Sequence, residues 1–124
     1  MDILVVDDDN RVRQTLTQML ESMGHSPITA RTGLEAIRLA EIHHPPVIIL
    51  DGLLPEMHGF EIARHLRTRR DDYHPRIALM TAIYKKNQYQ KYAKLKYGID
   101  CYLFKPMTPQ KLQLAIGEVH EAVA

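Results

Sequence analysis

Three consecutive carboxylates, Asp7, Asp8 and Asp9, follow the aliphatic run ILVV (residues 3–6) without a spacer. Like charges repel and aliphatic segments exclude water, so such a triplet needs either solvent or a cation beside it. Another acid, Asp51, closes the run VIIL (residues 47–50), where an unpaired carboxylate would be costly. Thr81 stands at the same kind of junction after IALM (residues 77–80), and Lys105 after CYLF (residues 101–104). Brought together, Asp7, Asp8 and Asp51 would suit a hard cation. Mg²⁺ takes oxygen ligands in near-octahedral geometry and keeps several waters, so two carboxylates, a backbone carbonyl and exchangeable positions suffice. A hydroxyl and an ammonium added to that cluster equip it to hold a phosphoryl group, whose charge must be neutralised from several sides. Asp9, with Asn10, reads as helix capping and solvated turn.

The elements that would position these groups are legible in the periodicity. The four apolar runs are short and rich in β-branched residues, as strands buried on both faces are. SPITA (residues 26–30) is a weaker fifth strand, and Pro27, which lacks an amide donor, assigns it to a sheet border. Between the strands the period changes to about 3.6. Val12, Leu16, Met19, Leu20 and Met23 form one helical stripe after an Asn10 cap, with Gly24 where a C-terminal glycine belongs. Thr32 opens a second helix lined by Leu34, Ile37, Ala40 and Ile42. A third begins near Gly59 and carries Phe60, Ile62, Ala63 and Leu66. A fourth covers most of residues 84–98, with a mixed polar and aromatic pattern. Thr108 as cap, Pro109 at the first helical position, and Leu112, Ala115, Ile116 and Val119 as the stripe mark the last. Strands alternating with helices imply a parallel sheet covered on both sides. The expected architecture is α/β, a flavodoxin-like doubly wound (βα)5 fold with strand order 2-1-3-4-5, over one domain spanning residues 1–124. Its ligands bind at the carboxyl ends of the strands, where the winding reverses between strands 1 and 3.

Composition bounds the rest. A chain of 124 residues, 45% hydrophobic, can bury an ordinary core. With 16 basic and 15 acidic residues the net charge is only +1, so no global field points to nucleic acid or an anionic membrane. The single cysteine, Cys101, excludes an internal disulfide framework and a multi-cysteine zinc site. No segment has signal-peptide or membrane-spanning length, and the chain reads as cytoplasmic.

VVDDD, LDGLLPEMHG, MTA and FKP, in this order and at these strand ends, resemble the receiver domain of two-component response regulators, of the chemotaxis-regulator-like kind. The resemblance covers essentially the whole chain. It implies that Asp51 is the phosphoacceptor, attacking a phosphohistidine on a sensor histidine kinase or phosphotransfer protein. It further implies Asp8 as the principal metal-binding acid, Asp7 assisting through water, and the backbone carbonyl of Leu53 completing the Mg²⁺ ligands. Thr81, the amide of Ala82 and Lys105 would bind phosphoryl oxygens, and Pro106 would be a cis proline that aims the lysine. Thr81 and Tyr102 would form the switch, changing the face made by the fourth helix, fifth strand and fifth helix to control a downstream protein or fused output domain. Such a protein catalyses only its own phosphorylation and dephosphorylation. Leu53 and Ile83, which flank the path of water in this family, cannot hold a nucleophilic water, so a long-lived phosphoryl group is expected. The segment after Thr81 is longer than the family's, and Gly52 replaces a bulky apolar residue.

Other readings weigh against this one. Asp7 and Asp9 reproduce the D-x-D spacing of haloacid-dehalogenase-type phosphatases, but the chain is short for that core and its motif order differs. A phosphorylation-independent, receiver-like interaction module would keep the fold and lose the chemistry; the complete set Asp8, Asp51, Thr81 and Lys105 argues against that. His43 and His44 are expected at a helix C-terminus rather than on a metal. RTRR (residues 67–70) reads as a solvated helix end. The lysine and tyrosine interleaving of residues 85–97 suits a protein partner better than stacked bases, so direct nucleic-acid binding is not expected.

Overall fold

The aliphatic runs form the strands expected of them. The computed structural model describes residues 1–52, 59–68, 72–81 and 98–117. They build β1 (Asp2–Val6), α1 (Asn10–Ser22), β2 (Ser26–Ala30), α2 (Gly33–His43), β3 (Val47–Asp51), α3 (Gly59–Arg67), β4 (Arg76–Thr81), β5 (Cys101–Phe104) and α4 (Pro109–Ile116). The helix expected over 84–98, apart from Gly98, and Val119 lie outside the described residues; α4 is the fifth helix of the expected series. All strand pairs are parallel, in the order β2-β1-β3-β4-β5. Pro27 sits on an edge strand, opposite Ile3, as its missing donor requires.

Successive side chains of a strand point to opposite faces, and β1 divides its residues accordingly. Leu4 and Val6 join Ile48, Leu50, Ile77 and Leu79 under α2 and α3; Ile3 and Val5 join Ile49, Ala78 and Met80 under α1 and α4. Both clusters are almost free of water, and each buried aliphatic side chain contributes about 1.5–3 kcal/mol relative to exposure. The central strands therefore lie in the driest part of the fold, and the polar groups that follow them emerge at its rim.

Local chemistry sets the helix ends, with some differences from the expected pattern. The cap of α1 is Asp9, whose carboxylate accepts from the amides of Arg11 and Val12; Asn10 is the first helical residue. A carboxylate at this position satisfies orphan amides and faces the positive end of the helix dipole, which makes it the stronger choice. Gly24 follows with φ of 88°, the left-handed conformation that ends the helix. Thr32 caps α2 by accepting from the Glu35 amide, while Glu35 accepts from the Arg31 amide. The buried stripe of α2 is Gly33, Ala36 and Ala40, with Ile37 and Leu39 partly covered; Leu34 and Ile42 are 66% and 65% exposed. Small residues let this helix approach the sheet, which displaces the larger ones outward. Thr108 and Pro109 open α4 as expected, and Leu112, Ala115 and Ile116 are buried.

His43 ends α2, and His44 is its cap, stacked on Tyr73 with ring centroids 4.5 Å apart. Arg67, expected in solvent, instead donates to the carbonyl of Gly98 and to the Asp100 carboxylate at 2.6 Å. That carboxylate also accepts from the Ile77 amide, so the arginine ties the end of α3 to the entry of β4.

Candidate functional site

Four strands deliver one polar residue each to the same rim. Asp7 directly follows β1, Asp51 ends β3, Thr81 ends β4 and Lys105 directly follows β5. The ladder continues past the strands to hold these positions. The Asp7 amide donates to the Ala30 carbonyl, Gly52 to Met80, and Lys105 to Thr81. Asp7, Asp51 and Thr81 are buried, at 0%, 6% and 1% exposure, whereas Asp8 is exposed.

Carboxylate oxygens of Asp7, Asp8 and Asp51 all lie within 4.8 Å of one another. This oxygen-only donor set, two members buried and one open to water, fits a hard cation that keeps part of its hydration, as Mg²⁺ does. Nζ of Lys105 lies 2.9 Å from Oδ2 of Asp7 and 3.7 Å from Oδ1 of Asp51. Burial lowers the lysine's pKa, but the hydrogen bond and charge of Asp7, then the charges of Asp51 and Asp8, outweigh it and hold the pKa above its ordinary value. The ammonium is thus firmly charged, and it offsets part of the repulsion among the acids.

The turn carrying the acids is held from two directions. Oδ1 of Asp7 accepts from the Asp9 amide, which folds the triplet back on itself. Arg13, a buried residue of α1 that pattern reading passes over, donates to the Asp7 carbonyl at 2.7 Å and to Oδ1 of Asn10 at 2.9 Å. Asp9 turns its carboxylate to the α1 amides, so the D-x-D pair does not converge as a phosphatase site would require. On the opposite side, the Lys105–Pro106 peptide bond is cis, as expected. Tyr102 is half-buried against the α2/α3 side of the core, with its hydroxyl oxygen shielded from solvent and its ring edge-on to Phe104. Gly59 lies against the backbone of Asp51, where a Cβ would come within 2.6 Å of the Asp51 carbonyl oxygen. Leu53, Ala82 and Ile83 lie outside the described residues, as does the whole lysine and tyrosine segment, residues 85–97.

Residues 3–117 match the response regulator receiver domain family. The chain belongs to that family. The receiver is 35% identical over 117 residues to the alkaline phosphatase synthesis transcriptional regulatory protein PhoP of Bacillus subtilis, a match covering 94% of this chain and 47% of that protein. It spans about half the length of the curated relatives it matches. Among solved structures it is similar to the Vibrio cholerae chemotaxis protein CheY4, with a TM-score of 0.84, 29% identity and coverage of 95% and 97% of the two chains. It is also similar to a chain of the co-crystal structure of the Saccharomyces cerevisiae histidine phosphotransfer signaling protein Ypd1 with the receiver domain of its downstream response regulator Ssk1. That match has a TM-score of 0.82, 26% identity and coverage of 95% and 87%. Receivers of this family serve phosphorylation-dependent signalling, and they generally bind Mg²⁺ through an acidic pocket of the kind formed here. No helix among the described residues is long and apolar enough to cross a membrane.

Proposed function

We propose that this receiver takes a phosphoryl group onto Asp51 from a phosphohistidine and passes the signal on through its changed surface. The observation that carries this reading is the convergence of Asp7, Asp8 and Asp51 with Lys105 at one sheet rim. An Asp51 oxygen attacks phosphorus, an acyl phosphate O–P bond forms, the N–P bond breaks, and the leaving imidazole keeps the electron pair and takes up a proton. An ionised carboxylate needs no general base, so the chain's part is position and charge. Asp7, Asp8 and Asp51, with the Leu53 carbonyl, are the proposed holders of one Mg²⁺, which when bound neutralises charge on the phosphoryl oxygens. Lys105 balances the same charge from the β5 side, and Thr81 with the Ala82 amide binds the remaining oxygens.

The phosphoryl donor is a sensor histidine kinase or a phosphotransfer protein. A groove lined by Arg11, Val12, Thr15, Leu16, Pro106 and Met107 opens beside Lys105 and offers a protein donor an apolar seat next to the acids. Thr81 and Tyr102 form the switch, and the face around β5 and α4 conveys it to a downstream protein or an output domain. Beyond turning over its own phosphoryl group, the receiver catalyses no reaction.

Intact mass after incubation with acetyl phosphate tests this. One phosphoryl group should be gained in the presence of Mg²⁺, and none after EDTA treatment or in Asp51→Asn. A folded wild type that gains nothing would favour an interaction module without phosphorylation.

A further inference from the structure

Lysine is an unexpected residue in the first turn of α4. The Thr108 hydroxyl accepts from the Lys111 amide, so Lys111 occupies the position where a capping box places Glu or Gln, and the positive helix end disfavours a cation there. Its side chain runs back out of the helix. Nζ donates to the Phe104 carbonyl at 2.8 Å and to the Pro106 carbonyl at 3.0 Å. These carbonyls belong to the residues immediately before and after Lys105, so one ammonium spans the turn from which Lys105 reaches Asp7 and Asp51. Lys111 itself makes no ion pair with an acid among the described residues.

We propose that Lys111 is a positioning residue for Lys105: by binding the carbonyls on either side of it, Lys111 holds the turn in the shape that aims the Lys105 ammonium into the acid cluster. This rests on the proposed role of Lys105 in phosphoryl transfer. Charge-assisted bonds to two carbonyls fix the turn more firmly than the cap alone, and catalytic groups tolerate little displacement.

A double-mutant cycle on the full chain tests it, with the initial rate of phosphorylation by acetyl phosphate as the measurement. Lys111→Met should slow the reaction about tenfold in the otherwise native chain. In a Lys105→Met background the same change should alter the rate by less than about twofold, because Lys111 acts only through Lys105. Lys111→Arg, which keeps donors for both carbonyls, should restore most of the rate. The slowing should persist at about 0.5 M KCl, where a through-space charge effect is screened. No slowing, or equal slowing in both backgrounds, would overturn the proposal. Should Lys111→Met fail to fold, Lys111→Gln takes its place in the same cycle.

If the wild type accepts no phosphoryl group, the functional reading falls and the nitrogen-15 spectrum of the Lys105 ammonium decides the positioning alone. A signal sharp in wild type and Lys111→Arg but broadened in Lys111→Met sustains it; identical signals in all three overturn it.

Discussion

Lys105 donates to Asp7 across 98 positions of sequence, at 2.9 Å, with the acceptor fully buried. The pair joins the two sides of the acid cluster: Asp7 comes from the centre of the sheet and Lys105 from its edge. Without a divalent cation this ammonium balances only part of the charge of three neighbouring carboxylates, and the excess has measurable consequences.

Asp8→Asn should stabilise the cation-free receiver. Removing one of three like charges whose ligand oxygens lie within 4.8 Å relieves repulsion on the order of 1 kcal/mol. Urea unfolding in EDTA would show a higher midpoint for the variant, and saturating Mg²⁺ would reverse the order because the wild type binds it better. Equal midpoints in EDTA would mean that the acids do not strain one another.

Arg13→Ala should be among the costly changes, because the residue is buried. It strips the donor from the buried Asp7 carbonyl and from Oδ1 of Asn10, for a loss of about 2–4 kcal/mol. Mg²⁺ affinity, followed by titration calorimetry on the folded variant, should fall as well, because the acid turn loses its brace. Arg13→Lys should recover only part, since one ammonium cannot match the fork of a guanidinium.

Gly52→Ala and Gly59→Ala, though only seven positions apart, should behave in opposite ways. A methyl at Gly52 would lie 3.6–3.7 Å from Leu79 and the Met80 carbonyl, an ordinary contact, so the alanine should be neutral or stabilising by about 0.4–1 kcal/mol. At Gly59 it would meet the Asp51 carbonyl oxygen at 2.6 Å and Leu79 at 2.7 Å, so α3 must shift away from β3. Thermal unfolding should separate the two by several degrees, and phosphorylation by acetyl phosphate should slow only in Gly59→Ala.

The elevated pKa of Lys105 fixes a direction for alkaline stability. A lysine whose pKa is raised by folding contributes fully below its unfolded value of about 10.4, and the contribution is lost as pH rises through the higher folded value. Wild type compared with Lys105→Met should therefore show a constant difference in urea midpoint through neutral and mildly alkaline pH. Above about pH 10 the wild type should lose stability relative to the variant. A relative loss already evident near neutrality would contradict the raised value.

How much of this could be read beforehand depended on the kind of partner each residue has. Asp7, Asp51, Thr81 and Lys105 were legible because each follows a β-branched run, and a parallel sheet brings the ends of such runs together. Arg13, Lys111 and Arg67 were not, although all three shape the fold. Their acceptors are largely backbone carbonyls, which leave no mark in a pattern of side chains, and a charged residue on a helix is by default assigned to solvent. The expected stripe of α2 holds at Ala40 and Ile37, which meet the core, and fails at Leu34 and Ile42 for a related reason. Leu34 and Ile42 are the larger apolar residues, yet the packing against the sheet is set by Gly33, Ala36 and Ala40, whose value is their small size. At the start of α1, Asp9 and Asn10 are both good caps, and which of them starts the helix depends on how the acid turn is braced.

The order of the strands also gives the two sides of the site unequal ladder support. β1 and β3 have ladder partners on both sides, whereas β5 has β4 alone among the described strands. Amide protons around Asp7 and Asp51 should accordingly exchange only when the whole domain opens, and those leading into Lys105 should exchange through local excursions of the border. Should Asp51 take up a phosphoryl group as proposed, the doubly paired strands are expected to hold their carboxylates in place, and any rearrangement to begin at singly paired β5, up to the turn that Lys111 braces.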